Sequence, residues 1–267
     1  MTFLERLGDA VRRRGALCVG IDPHPALLER WGLEADASGV ERFGRAVVEA
    51  AAGRVGVVKP QAALFEALGP AGLGALERVL ADARAASLVT IADAKRGDIG
   101  STTLGYAAAW LEPGAPLEAD ALTASPYLGV GALEGLFAAA ERAGKGVFVL
   151  AATSNPEGAA IQRARLDDGR TVAAAVADEV AARNAATGAG HGLVIGATID
   201  RAAFGLAPDA STPVLAPGFG AQGARLADLH RLFPADALVL ASASRSILQA
   251  GPEGIAPAID AAIGELP

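Results

Sequence analysis

The sequence predicts an α/β chain folded as a (β/α)8 barrel, and three observations carry that expectation. Eight short apolar runs alternate with stretches of helical periodicity. The runs are apolar throughout, as strands buried on both faces of a parallel sheet are. The residues with the most chemical capacity, Asp22, Lys59, Asp93, Lys95, Ser154, Gly218 and Arg245, fall at or just past the C-terminal ends of those runs. Barrels of this class carry their sites at those ends. A doubly wound open sheet is the competing arrangement. Residues 1–267 are assigned to a single domain, because the length fits one barrel and no linker, low-complexity segment or strong repeat interrupts the chain.

Phe3, Leu4, Leu7 and Val11 recur at helical spacing and open the chain with a short amphipathic helix. The first strand is expected over 17–21, ending at Asp22-Pro23, and a helix over 40–52 follows. The second strand, 55–58, ends at Lys59-Pro60 and leads to a helix over 73–86. The third strand occupies 88–92. The next helix runs from Ser101 or Thr102 to Trp110, with the hydroxyl as N-cap. Strand four covers 120–123 and ends in Ser125-Pro126-Tyr127; its helix covers 130–143. Strand five, 147–151, ends at Thr153-Ser154-Asn155-Pro156. A polar stretch over 156–168 is long for a barrel loop and reads either as a closing lid or as an inert surface insertion. A helix over 171–186, strand six over 192–196 and a short helix over 199–204 come next. Strand seven, 213–216, ends at Pro217-Gly218 and precedes a helix over 224–233. Strand eight, 238–241, ends at Ser242 to Arg245, and a helix over 255–263 closes the chain.

Composition excludes several classes. The net charge of −7 argues against a nucleic-acid surface. No apolar run approaches the roughly 20 residues that span a membrane. The triplet Arg12-Arg13-Arg14 is followed by too short an apolar run to be an export signal. The single Cys18 has no internal disulfide partner and lies in an apolar run, so a buried thiol in a reducing, cytoplasmic setting is expected. His24, His191 and His230 are scattered without metal-ligand spacing, and no metal is expected.

The stretch from Asp93 to Thr102 concentrates the chemistry. Alternation along a strand places Asp93 and Lys95 on one face at its end, with Asp98 three residues on. A surface loop of mixed charge is the ordinary reading of such a stretch. Yet only Lys59, Lys95 and Lys145 are lysines among 23 basic residues. Lysine changes its protonation state where arginine in practice does not, so a lysine in an arginine-using chain points to chemistry.

The segment Asp93-x-Lys95-x-x-Asp98-Ile99, with Thr102 after it, resembles the signature of the orotidine 5'-phosphate decarboxylase family. Asp22, Lys59-Pro60-Gln61, Thr153-Ser154-Asn155-Pro156, Pro217-Gly218-x-Gly220-Ala221-Gln222 and Arg245 stand in that family's order, over roughly residues 16–250. The resemblance implies a homodimeric enzyme, of the bacterial type 2 kind, that converts orotidine 5'-monophosphate to UMP without a cofactor. Lys95 would stabilise the charge at C6 and protonate it. Asp93 and Asp98 would hold Lys95, and Lys59 would complete a Lys-Asp-Lys-Asp array and touch the ribose. Asp22 would contact the ribose. Asp98 and Thr102 would reach into the partner's site.

Residues outside that motif fit the same expectation. Gly218 to Gly223 matches G-x-G-x-x-G, but in the seventh unit and without the acid that a dinucleotide site requires. A phosphate site in loops seven and eight suits it better, formed by Pro217, Gly218, Gly220 and Gln222 with Arg245; a Gly-rich turn beside a surface arginine is the plain alternative. Ser154 lies in no nucleophile elbow, so hydrogen bonding to a polar base, with Asn155, is its better role. A related sugar-phosphate decarboxylase, a Schiff-base aldolase acting through Lys95, or an inactive nucleotide-binding barrel remain the alternatives.

Overall fold

Eight parallel strands close on themselves in chain order. They are β1 (Leu17–Ile21), β2 (Val57–Pro60), β3 (Val89–Arg96), β4 (Ala121–Ala124), β5 (Gly146–Ala152), β6 (Gly192–Ile195), β7 (Val214–Pro217) and β8 (Val239–Ala243). Closure is made where Leu17 pairs with Ala241 and Val19 with Ala243. This computed structural model describes residues 1–207 and 210–267.

The helices are α1 (Phe3–Arg14), α2 (Pro25–Arg30), α3 (Ala37–Ala51), α4 (Ala62–Glu66), α5 (Gly69–Ala85) and α6 (Gly100–Trp110). After them come α7 (Glu134–Ala143), α8 (Gly158–Gln162), α9 (Val172–Thr187), α10 (Leu229–Leu232), α11 (Arg245–Leu248) and α12 (Gly251–Gly264). None of them is long and apolar enough to cross a membrane among the described residues.

The sequence-based boundaries depart from the structure where short elements escape periodicity. The helices α2, α4, α8 and α11 have six residues or fewer, too few to display a helical repeat. The helix expected over 199–204 is a 3-10 turn over Arg201–Phe204. That expected over 224–233 divides into a 3-10 turn, Leu226–Asp228, and α10. The expected hydroxyl cap of α6 is absent. The helix starts at Gly100 behind Ile99, which offers no side-chain cap. The Asp98 carboxylate accepts the Ile99 N–H at 2.8 Å, turning the chain before Ser101 and Thr102 are reached. By contrast Thr171 does cap α9, accepting from the Ala174 N–H at 3.0 Å.

Two cores result. The larger lies between strands and helices and includes Phe43, Phe65, Leu76, Leu122, Val149 and Ile259. The smaller fills the barrel itself with one or two side chains per strand, among them Cys18, Val57, Ile91, Phe148, Leu215 and Leu240. The helix α1 closes the bottom of that inner core with Phe3 and Leu7, held at its start by a capping box of Thr2 and Glu5. Phe3 meets Phe148 edge to face, with ring centroids 6.1 Å apart. His191 is fully buried; its Nδ1 accepts the Val147 N–H and its Nε2 faces Glu141. Burial, opposed by Glu141, holds its pKa below the ordinary histidine value, which suits a neutral structural ring.

Glycine makes room for the largest interior ring. A Cβ on Gly192 would stand 2.3 Å from Cε1 of Phe148 and 2.9 Å from the Pro213 carbonyl oxygen. Gly192→Ala is therefore expected to cost about 1–3 kcal/mol, the range for overpacking a filled core. Combining it with Phe148→Leu should recover part of that loss in a double-mutant cycle followed by urea denaturation. Strictly additive costs would show that Gly192 and the ring do not compete for space.

Candidate active site

A cavity of about 780 Å³ opens at the C-terminal ends of the strands. Of the residues expected from sequence, Asp22, Lys59, Asp93, Lys95, Ser154, Asn155, Pro217, Gly218, Gln222 and Arg245 line it. They come from the ends of β1, β2, β3, β5, β7 and β8. Leu150, Val194 and Leu215 give the wall an apolar part.

Asp93 is the electrostatic centre. Its Oδ2 accepts from Lys59 Nζ at 2.8 Å and its Oδ1 from Lys95 Nζ at 2.6 Å. The hydroxyl of Thr123 donates to Oδ1 at 3.0 Å. The amide of Gln61, with its nitrogen turned toward the site, donates to Oδ2 at 2.7 Å and to the Asp93 carbonyl at 3.1 Å. The side chains of Lys59 and Asp93 are 8% and 12% exposed, whereas that of Lys95 is 45% exposed. So both lysines line the cavity, Lys59 deeply buried at its floor and Lys95 open to it. Burial disfavours the charge on Asp93, but Lys59 and then Lys95 overcome it and hold its carboxyl below the usual carboxylate range. Burial likewise disfavours the Lys59 ammonium, and Asp93 and then Asp22 hold it charged above the ordinary lysine range.

Asp93 and Lys95 meet as expected, but simple strand alternation is not the reason. Between Ala92 and Arg96 β3 spends four residue steps where β4 spends two, from Leu122 to Ala124. Asp93, Ala94 and Lys95 thus bulge past the single residue Thr123. Lys95 sits at φ 47°, in the left-handed region that non-glycine residues rarely occupy. Just beyond, a Cβ on Gly97 would stand 2.4 Å from the Ser125 carbonyl oxygen, so only glycine lets the loop pass there.

The other walls are set by neighbouring loops. One Asp22 oxygen accepts from the Ser244 hydroxyl, while the other, Oδ1, is buried without a partner. Ser154 Oγ donates to Gln222 Oε1 at 3.1 Å, joining the loop after β5 to the loop after β7. Arg245 has no carboxylate partner among the described residues and lines the cavity. Within the stretch 156–168, Gln162 reaches the cavity from α8, its Nε2 donating to Thr153 Oγ1 and its Oε1 accepting the Thr153 N–H, both at 2.9 Å.

Three expected residues lie off this wall. The Gly220 N–H is spent on the Ala224 carbonyl, and at φ 74° the residue shapes its loop. Asp98 precedes α6 and Thr102 lies in its first turn, and the carboxylate that Lys95 pairs with is that of Asp93. Conversely, Thr123, Gln162 and Ser244 escaped the sequence reading, and Gln61 was quoted in a motif but given no role at the site. Gln61 carried the clearest signal, standing directly after Lys59-Pro60. Beneath the array Cys18 is fully buried, and burial pushes its thiol up to about 12. Among the described residues no group of three or more His, Cys, Asp or Glu is placed to hold a metal ion.

The model of the orotidine 5'-phosphate decarboxylase / HUMPS family matches residues 15–256. An orotidine 5'-phosphate decarboxylase of Salinispora tropica is 54% identical over 258 residues, 96% of this chain and 92% of that protein. Another, of Salinispora arenicola, is 54% identical over 255 residues, covering 94% and 91% of the two chains. A solved structure from Streptomyces avermitilis, described as an orotidine 5'-phosphate decarboxylase, has a TM-score of 0.94 at 47% identity and covers 99% of this chain and 94% of that one.

The coupled charges give a pH test. The lowered Asp93 value means its contribution to stability is present above the ordinary carboxylate range and lost as pH falls. The raised Lys59 value means its contribution is present below the ordinary lysine range and lost as pH rises. Stability of the native protein is therefore insensitive to this pair around neutrality. Asp93→Asn is expected to cost about 3–5 kcal/mol at neutral pH, as removal of one partner of a buried pair does. Lys59 is then disfavoured as an ammonium, the unfolded chain binds more protons, and stability rises with pH. Urea denaturation near pH 7 and near pH 9.5 should show the deficit narrowing at the higher pH; an equal deficit at both would mean that Lys59 keeps its proton without Asp93.

Proposed function

The chain belongs to the orotidine 5'-phosphate decarboxylase / HUMPS family, and on that premise we propose that it decarboxylates orotidine 5'-monophosphate to UMP and CO2. The observation that carries this reading is the Lys59–Asp93–Lys95 array, with its exposed member facing a cavity that Arg245 also lines, a cation without a carboxylate partner among the described residues.

The chemistry asks for such an array. When the bond from C6 to the carboxylate breaks, its electron pair stays on C6, where no ring carbonyl delocalises it well. A fixed ammonium beside C6 stabilises that charge and then supplies the proton that completes UMP. Lys95 takes this role, leaving as neutral amine and regaining its proton from water. No metal or electron-sink cofactor is required for this sequence. Asp93 keeps the ammonium placed, and its negative charge opposes the substrate carboxylate in the ground state. Lys59 anchors Asp93 from the buried side and touches the ribose.

The other walls suit the rest of the nucleotide. Asp22 lines the cavity at the end of β1, where a carboxylate suits a ribose hydroxyl. Arg245, with the loop of Pro217, Gly218 and Gln222, suits a phosphate, since an arginine fork pairs well with phosphate oxygens. Gly220 supports this loop from behind. Ser154 and Asn155 offer polar groups to the base, and the Ser154–Gln222 contact links base and phosphate recognition. Remote binding energy of this kind is realised as positioning at the reacting carbon.

The same reading makes the protein a cytoplasmic homodimer. Asp98 and Thr102 lie off their own cavity, as residues serving a partner's site would. Around them Ile99, Leu104, Tyr127 and Leu128 are exposed by 62%, 54%, 76% and 53%. Their loops adjoin, since the Ser125 N–H donates to the Arg96 carbonyl at 2.8 Å. Exposed apolar side chains gathered this way suit an interface, and a two-fold contact would bring Asp98 and Thr102 across it.

Mixing the protein with orotidine 5'-monophosphate should remove the substrate's absorbance, and Lys95→Ala should abolish that loss while UMP still binds. Turnover above a few per cent of wild type in the variant would take Lys95 out of the proton-donor role; an inert wild-type protein would overturn the reading as a whole.

The shared site has its own test. Lys95→Ala and Asp98→Ala chains, each inactive alone, are co-refolded in equal amounts. Random exchange makes about half of the dimers mixed, so about a quarter of all sites carry both an intact Lys95 and an intact Asp98 from different chains. Activity should rise toward that fraction. A mixture as inactive as its parents, with subunit exchange demonstrated, would place Asp98 in its own chain's site.

A further inference from the structure

We infer that Thr123 is a positioning residue for the reaction, holding the backbone and the counterion of Lys95 with one hydroxyl. This rests on the decarboxylase reading of the site and adds to it a residue outside the charged motif.

The geometry is specific. Thr123 Oγ1 accepts the backbone N–H of Lys95 at 2.9 Å and donates to Asp93 Oδ1 at 3.0 Å. A hydroxyl has one proton and two lone pairs, so accepting from Lys95 leaves its proton to donate, and of its two acceptors Asp93 Oδ1 at 3.0 Å is nearer and charged, the Ala92 carbonyl standing at 3.5 Å. The same Asp93 oxygen receives the Lys95 ammonium at 2.6 Å. Thr123, Asp93 and Lys95 thereby form a closed loop of contacts: backbone of Lys95 to hydroxyl, hydroxyl to carboxylate, carboxylate to the tip of Lys95. Thr123 is 1% exposed, so water does not replace the hydroxyl if it is removed.

The loop has something to restrain. Lys95 is one of two non-glycine residues at positive φ among the described residues, a conformation that costs about 1–2 kcal/mol for an L-residue. It sits inside the bulge in which three residues of β3 face Thr123 alone. Within a bulge the ladder leaves amides unpaired, and here the amide of Lys95 is taken by a side chain. Strained backbone at a reacting residue persists only where the surroundings over-determine it. Of the contacts that do so here, Thr123 is the one that touches both the peptide N–H of Lys95 and the carboxylate that orients its ammonium.

The required chemistry at position 123 is therefore a small β-carbon hydroxyl. Valine has the same shape but neither accepts nor donates; serine keeps both functions. Without the hydroxyl, Lys95 can relax toward ordinary strand geometry and carry its ammonium away from C6. A misplacement on the order of 1 Å costs on the order of 100-fold in rate. Contacts to ribose and phosphate, made by other loops, are untouched.

Three proteins decide the matter: wild type, Thr123→Val and Thr123→Ser. For Thr123→Val, kcat should fall about 10- to 100-fold, while KM and the Kd for UMP stay within about threefold. Thr123→Ser should retain kcat within about threefold of wild type. Independently of turnover, the Lys95 amide should exchange its hydrogen slowly in wild type and Thr123→Ser, and at least about tenfold faster in Thr123→Val. If Thr123→Val turns over within twofold of wild type, or if serine is no better than valine, the assignment is overturned. Equal loss of UMP binding and kcat would also overturn it, since that marks a structural role. Should Thr123→Val not fold, Thr123→Ser still decides through its kcat and its amide exchange, because it must match wild type in both. A wild-type protein without decarboxylase activity but with a protected Lys95 amide would defeat the functional reading and leave the positioning geometry standing.

Discussion

A carboxylate that has little access to water must have its charge answered by the protein, and at Asp93 four groups answer it. Two are ammonium groups, Lys59 and Lys95, and two are neutral donors, Thr123 and Gln61. The arrangement is asymmetric in exposure. Lys59 and Asp93 lie nearly buried at the strand ends, and Lys95 stands further out in the cavity. Burial raises the cost of every unpaired charge and the strength of every paired one. The buried pair thus acts as a fixed electrostatic base on which the exposed ammonium is mounted. Removing any member exposes the others to the desolvation they share, which is why the array behaves as a unit.

The barrel makes that arrangement possible by geometry. Parallel strands deliver their C-terminal ends to one rim, so residues from β2, β3 and β4 that are far apart in sequence converge there. Regular strands would supply regular spacing, and the site needs something else. The bulge in β3 inserts extra backbone opposite Thr123 and re-aims Lys95. Glycine at position 97 then lets the chain brush past the Ser125 carbonyl. The interior below is packed conventionally, with Phe148 filling the space that Gly192 leaves open. Rigid packing beneath an irregular rim is the division of labour in this fold.

Much of this was legible in the sequence, and the physical reason is plain for each part. Strand β1 was read to the residue because its apolar run is bounded by Gly15 and by Asp22-Pro23. Apolarity underestimated β3, which continues through the charged residues 93–96, since a run ends for the eye where its polar functional part begins. Charged site residues at strand ends stood out against an apolar, lysine-poor background. Thr123 did not, and Gln61 was noticed only as part of a motif, because a neutral side chain at a strand end has no feature that distinguishes a hydrogen bond to a carboxylate from one to water. Gln162 was hidden for another reason. It lies on a five-residue helix inside a polar stretch, where neither periodicity nor charge singles it out. The cap of α6 was misread because Asp98 competes for the turn with the hydroxyls that follow it.

The bottom of the barrel has a consequence for how the chain reaches its native state. The helix α1 plugs the inner core through Phe3 and Leu7, and β1 completes the cylinder by pairing with β8. The first strand of the cylinder therefore finds one of its two lasting neighbours in the last strand. Until β8 is released, β1 presents an open edge and the inner core that α1 covers is incomplete. Contacts between chain ends are the slowest to form, because the whole intervening loop must be ordered before they reward it. For this barrel synthesis and folding cannot proceed in step: the cylinder shuts only once its eighth strand has been made, and the earlier strands must be kept from other partners until then.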